Sequence, residues 1–276
     1  MKFERTWTGN FDNAFHGLRH PLESYAKSDS GYECGLIDWN KKPGDKADLC
    51  WDGCGEPSCP GKGDFVLGPV DIDLAQRMIK AGTPNDKFLR QIFVSVDITA
   101  PIYWWKEMDT YKVATTANST STMHKLASTP ITLNCFETDD YEEDLPVTKQ
   151  DQSSLTEAGK ACGFVAHWHM GDMVENLIEY LEDLRCQYND LMAKSKQDNL
   201  TEDERKAIVA EAKLYWKELI RWLPEGWLQT RCWTANYATL RNIIHWRQGH
   251  KLTEWAQFIE WCHTLPYADE LLFFDN

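Results

Sequence analysis

The sequence predicts a mixed α/β protein in which helices pack against sheet, and three observations carry that expectation. Ile92, Val94, Val96 and Ile98 alternate with Phe93, Ser95, Asp97 and Thr99, the two-residue period of a half-buried strand. Two long stretches, about 172–188 and 202–222, repeat apolar residues at helical spacing, with Leu177, Tyr180, Leu181 and Leu184 marking the inner face of the first. The chain has 276 residues, 42% of them hydrophobic, enough for one large domain with insertions or two small ones.

Taken in order, residues 1–27 show no clear periodicity. Arg19 there is expected in a surface salt bridge, with a phosphate as its other reading. Residues 28–64 are rich in Gly, Pro and Asp and read as an insertion. Asp71 to Ala81 predicts a short amphipathic helix with Leu74, Met78 and Ile79 inward. After the strand, Ala100-Pro101 starts a helix, because proline in a first turn loses no hydrogen bond. That helix carries Trp104, Trp105, Lys106, Glu107 and Tyr111 and runs into a Thr/Ser/Asn-rich loop ending near Lys125. Residues 137–170, with Asp139, Asp140, Glu142, Glu143 and Asp144, read as an irregular acidic excursion with no chemical role. Thr201 and Glu204 form a capping box for the second long helix, which Pro224 ends. Trp233-Thr234 lead into a further helix, and the last runs from about Thr253 to His263. No internal repeat is evident.

The chemistry concentrates in two segments. Asn236, Leu240, Ile243 and Arg247 share one helical face and Asn242 points to another, as a residue serving a neighbouring subunit would. Two amides and a guanidinium around one helix can grip a heteroaromatic cofactor and an anionic nucleotide; an amphipathic helix with polar margins is the alternative. The strand, the aromatic-basic helix and the hydroxyl-rich loop together suit a ring and a phosphate, since the loop offers many donors to an anion.

With these residues in place, the chain resembles the flavin-dependent thymidylate synthases. In that family a strand leads through an Ala-Pro-Ile-like start into a helix bearing Arg-His-Arg-x-x-Ser-x-Asn-Glu-x-Ser. Ala100-Pro101-Ile102 aligns without a gap, and the C-terminal pattern is matched at Leu223, Pro224, Trp233, Thr234, Asn236, Asn242 and Arg247. The resemblance covers roughly residues 66–130 and 200–262. The departures are specific. Thr110-Tyr111-Lys112 stand where the family has Arg-His-Arg, and Glu107 replaces a Gln. Asn118 and Ser121 match after a one-residue slip, Ser119 stands at the Glu, Met123 at the Arg that follows the signature, and Ala238 replaces an Arg.

The resemblance implies an antiparallel sheet packed with long helices, a homotetramer, and FAD held between subunits. It implies reductive methylation at C5 of a pyrimidine deoxynucleotide, deoxyuridylate to thymidylate, with methylenetetrahydrofolate as carbon donor and NADPH as reductant. Such a site works by orientation and electrostatics around the cofactor and needs no protein nucleophile. By matched position, Asn236, Asn242, Tyr111, Lys112 and Asn118 would contact the flavin, and Arg247 would lie against the pyrimidine and polarise it. Lys106, Glu107, Ser119, Ser121 and His124 would serve the nucleotide, with Lys112, Lys125, Arg241 and Arg247 as further candidates for phosphate. Glu107 can accept from an exocyclic amino group, which uracil lacks, so a cytosine nucleotide competes as substrate. Hydroxymethylation is an open variant. The lost signature cations favour a different class, a non-catalytic nucleotide- or partner-binding protein on this scaffold, while the intact C-terminal pattern favours an enzyme.

Composition narrows the partners. A net charge of −14 argues against polymeric nucleic acid and against an anionic membrane. No apolar run reaches the roughly 18 residues of a transmembrane helix, and MKFERTWTGNFDNAF lacks a signal peptide's apolar core, which predicts a cytoplasmic protein. Nine cysteines are then expected to be mostly thiols. Cys34, Cys50, Cys54 and Cys59 have C-x15-C-x3-C-x4-C spacing, and four thiolates would close a structural zinc site. Free thiols and disulfides are the other readings, and a zinc-stapled interaction module is the functional version of the first. Cys162, His167 and His169 lack a completing ligand and read as structural.

Overall fold

The computed structural model describes residues 1–34, 49–50, 62–145 and 169–275. Cys54 and Cys59 lie outside the described residues, as do the side chains of Cys34 and Cys50, Cys162, His167 and most of the acidic excursion. Two compact units form: Met1–Ile98 with Glu107–Asn118 and Arg231–Asn276, and Thr99–Lys106 with Ser119–Thr230.

The first unit is built on a four-stranded sheet, in the order β1 (Lys2–Gly9), β5 (Phe93–Pro101), β7 (Leu228–Asn236) and β6 (Thr116–Ser119). Strands β5, β6 and β7 each contribute residues to both units. The alternation read in the sequence is obeyed in β5: Val94, Val96 and Ile98 are buried while Phe93 faces out. Each such burial contributes about 1.5–3 kcal/mol. A second, antiparallel sheet has β2 (Gly31–Cys34) between β3 (Leu49–Cys50) and β4 (Lys62–Val66), with Tyr32 opposite both Cys50 and Phe65.

The N-terminal stretch without periodicity is β1 followed by α1 (Phe11–Arg19). Helix α1 ends on a buried network. Arg19 is 4% exposed and pairs with Asp71, which is fully buried, at 2.6 Å; the surface salt bridge expected for this arginine is thus a core one. The remaining donors of Arg19 reach the carbonyls of Ser24 and Lys27, and the hydroxyls of Ser28 and Ser30 both donate to Asp71 at 2.5 Å. Asp71 sits in the first turn of α2 (Pro69–Ala81), where the helix dipole favours a negative charge. Within α2, Ala75 and Ile79 are buried, whereas Leu74 and Met78 are only half-buried. Between α2 and β5 the 3-10 segment Asn85–Gln91 buries Phe88 and Leu89 and packs against α1 and α2.

In the second unit, α3 (Ile102–Met108, its last two residues in the first unit) follows Pro101, which ends β5 instead of opening the helix. Trp104 and Trp105 are fully buried there, and Trp105 Nε1 donates to the Gln229 carbonyl at 2.9 Å. After the short α4 (Thr122–Lys125), α5 (Met170–Lys194) and α6 (Glu202–Arg221) pack against each other. Leu181, Leu184 and Leu219 form a core with Leu126 and Ile131. Leu177 and Tyr180, expected inward, are exposed at 36% and 45%, because the apolar stripe facing α6 is narrower than the sequence pattern. The capping box of Thr201 and Glu204 forms as expected.

Helix α5 also fixes the segment around Ile131. Its Glu182 accepts from Ile131 N at 2.8 Å and from Arg185 Nε at 2.7 Å. Hydrogen bonding from Arg185 lowers the Glu182 carboxyl to about 2, against the opposing effect of burial.

Two predictions follow from these interactions. Asp71→Ala leaves the Arg19 guanidinium buried and unpaired, and its expected cost in urea unfolding is about 3–5 kcal/mol. Because the Glu182 pKa is depressed on folding, its contribution to stability is complete above its unfolded value and is lost as pH falls from about 4.5 towards 2. Melting followed across that interval should show a shallower acid decline in Glu182→Gln than in the unaltered protein.

Candidate functional site

The site lies in the first unit, around α7 (Tyr237–Arg247) and the turn that follows α3. Asn236 caps α7, its Oδ1 accepting from Thr239 N at 2.9 Å, and it is almost wholly buried. Tyr237, Leu240, Ile243 and Ile244 bury the helix against the rest of the unit. Burial pushes the Tyr237 phenol far up, so its hydroxyl stays a donor, to the Pro266 carbonyl at 2.6 Å. The helix is therefore a rigid mount, and Asn242 stands on its exposed side.

A cleft of about 410 Å³ runs along this mount. Tyr111, Lys112, Asn236 and Asn242 line it with Arg90 and Thr239. Its other wall is the 110–114 turn, where Ala114 adopts a left-handed φ of 58°. Such a conformation costs a residue with a side chain about 1–3 kcal/mol. The Thr239 hydroxyl holds the turn by donating to the Val113 carbonyl at 3.2 Å. A second cleft of about 330 Å³ is lined by Thr83, Asp86, Arg241 and His245, and shares Arg90, Ala238 and Asn242 with the first.

Arg247, at the last turn of α7, sits in a knot of polar and aromatic groups. Its Nη1 lies 2.8 Å from Glu107 Oε2, and its Nε donates to the Tyr111 hydroxyl at 2.9 Å. The guanidinium carbon stands 4.4 Å from the centre of the Trp255 ring, within cation–π range. Trp255 Nε1 donates to the same Glu107 oxygen at 2.9 Å, and His250 Nε2 lies 3.7 Å from it. Gly249 takes a φ of 73°, so the chain turns after α7 and brings His250 and helix α8 (Thr253–His263) back over Arg247. One carboxylate oxygen of Glu107 thus orients the arginine and the indole, with the imidazole 3.7 Å away, while its other oxygen accepts no hydrogen bond among the described residues.

Tyr111, Lys112, Asn236 and Asn242 meet in one cleft, and Tyr111 links it to Arg247 and Glu107. Asn118 is exposed on β6. Lys106, Ser119, Ser121 and His124 belong to the second unit, where the Lys106 ammonium pairs with Glu225. Ser119 is exposed and Ser121 half-buried, and the side chain of His124 lies outside the described residues. Arg241 is committed elsewhere: its Nη1 donates at 2.9 Å to the carbonyls of Leu271, Leu272 and Phe274. Trp233 is core packing against Phe258, and Trp246 is exposed. Sequence reasoning missed Arg90, Thr239, His250 and Trp255. His250 and Trp255 had a signal, three and eight residues after Arg247, at the turn into the last helix.

No protein-family model and no curated protein sequence matches the chain. Among solved structures, it is similar in fold to the flavin dependent thymidylate synthase ThyX from Helicobacter pylori, in two structures with FAD and dUMP. Each has a TM-score of 0.54 at 15% identity, covering 100% of this chain and 99% and 98% of the two ThyX chains. The chain has this mixed helix and antiparallel-sheet fold.

The Glu107–Arg247 pair is partly buried and should couple more strongly than exposed pairs and less than fully buried ones. A double-mutant cycle with Glu107→Gln and Arg247→Met, read by chemical unfolding, is expected to give on the order of 1–2 kcal/mol. A coupling near zero would mean that Trp255 and Tyr111 hold the arginine without the carboxylate.

Proposed function

We propose that the protein binds FAD and a pyrimidine deoxynucleotide and transfers a one-carbon unit reductively to C5 of the base, converting deoxyuridylate to thymidylate. The observation that carries this reading is the convergence of Tyr111, Lys112, Asn236 and Asn242 in one cleft joined to Arg247, on a fold shared with an enzyme that has been crystallised with FAD and dUMP. The cleft suits the cofactor chemically. It offers an aromatic ring, two amides that can donate and accept, and the cations Lys112 and Arg90, within the size range of ligand pockets.

When bound, FAD supplies hydride chemistry, with NADPH as its reductant and methylenetetrahydrofolate as the carbon source. The chain's own residues position and polarise. Asn236, locked as a helix cap, and Asn242 orient the ring through their amides. Arg247 lies against the pyrimidine, its direction set by Glu107 and Tyr111, and stabilises negative charge that develops on the base. Trp255 shields one face of the guanidinium from water, which strengthens its field. Asn118 joins the flavin contacts, and Ser119, Ser121, His124 and Lys106 are the second unit's own candidates for a nucleotide phosphate. The reading includes a cytoplasmic homotetramer with the cofactor between subunits; among the described residues no helix is long and apolar enough to cross a membrane.

A second substrate reading rests on Glu107. Its other oxygen, which accepts no hydrogen bond among the described residues, is an acceptor beside Arg247, suited to an exocyclic amino group, which favours deoxycytidylate.

Purified protein supplied with FAD should show a flavin absorbance band that shifts when its nucleotide is added. A shift with deoxyuridylate supports thymidylate synthesis, a shift with deoxycytidylate alone selects the cytosine substrate, and no band after FAD addition overturns the flavin reading. Arg247→Ala is expected to keep the band and lower turnover by about 100-fold or more. Full activity in that variant would remove Arg247 from the site.

A further inference from the structure

We propose that Arg90 binds the linking phosphates of a dinucleotide at the seam of the two clefts, supplying the guanidinium that position 238 lacks; this rests on the FAD reading above. The two clefts share only Arg90, Ala238 and Asn242 as lining residues. A ligand whose ring occupies the first cleft and whose nucleoside occupies the second must therefore pass its linker across these three. In a dinucleotide that linker is a diphosphate, so the seam is where negative charge has to be met.

Arg90 is equipped for that role. It is exposed and enters no ion pair among the described residues, whereas Arg231 pairs with Asp109, Arg247 with Glu107, and Arg241 is spent on backbone carbonyls. Its backbone is nevertheless fixed, because the preceding Phe88 and Leu89 are buried and Gln91 accepts from Asn10 Nδ2 at 2.8 Å. A fixed base with an uncommitted guanidinium presents a planar fork to two phosphate oxygens, a geometry that favours arginine over lysine.

The sequence departures gain a reason. Thr110 and Tyr111 stand in the first cleft where the resembling family carries cations, and Ala238 stands at the seam in place of an arginine. The second cleft adds the Thr83 hydroxyl, the Asp86 carboxylate and His245, groups that hydrogen-bond a nucleoside but include a carboxylate that repels phosphate. The diphosphate is thereby directed to the Arg90 end of the seam.

The test is titration of FAD, riboflavin and ADP, read by flavin fluorescence and calorimetry, into the full-length protein, Arg90→Ala, Arg90→Lys and the double variant Arg90→Ala/Ala238→Arg. Loss of the guanidinium should weaken FAD and ADP at least about tenfold while riboflavin, which has no phosphate, changes little. Lysine should recover part of the loss and Ala238→Arg most of it. Melting temperature should not move, since Arg90 holds no partner among the described residues. FAD binding that Arg90→Ala leaves unchanged overturns the inference and leaves the flavin reading standing. ADP binding that Arg90→Ala abolishes, in a protein that takes no FAD, sinks the flavin reading and sustains the site. A protein that binds neither overturns both.

Discussion

The buried pair of Arg19 and Asp71 organises the first unit. An ion pair removed from water is tolerable only when every remaining donor and acceptor is satisfied. Here the demand is met by the carbonyls of Ser24 and Lys27 and the hydroxyls of Ser28 and Ser30. With Asp71 on α2, those partners tie together the chain after α1, the approach to β2 and α2, so one charge pair fixes three segments at once. Helices α1 and α2 flank the 3-10 segment that leads into β5, and α7 packs on the same segment. The register of the cleft walls thus traces back to a charge pair well below the surface.

What could be read from the sequence was whatever local physics decides alone. The alternation of β5, the Thr201 capping box and the Thr253–His263 helix each follow from short-range pattern, and each was legible. Strands β1, β6 and β7 were not. In β1 and β6 nearly every residue is polar or exposed, so no two-residue period marks them, and pairing with neighbours far along the chain makes them strands. Arg19 was misread for a related reason. Its partner is 52 residues away, and nothing near Arg19 signals burial.

The candidate site divides along the same line. Asn236, Asn242 and Arg247 were visible because one helix carries them at fixed spacing. Arg90, His250 and Trp255 enter through tertiary proximity. Glu107, where the resembling family carries a neutral amide, was visible as a departure, but its effect was not: the carboxylate holds an arginine and an indole on one oxygen. A neutral amide offers a weaker hold on a guanidinium, so the orientation of Arg247 in this chain is electrostatic as well as steric.

Arg241 joins α7 to the end of the described chain. Burial lowers its pKa from the ordinary arginine value, yet three carbonyls from the 271–274 segment keep its charge worth holding. The tail therefore acts as a splint on the helix that presents Asn242 and Arg247. Changes in Leu271, Leu272 or Phe274, none of which lines either cleft, would be felt at the site through the tilt of that helix, so drift at the C-terminus is restrained by mechanics and not by contact with any ligand.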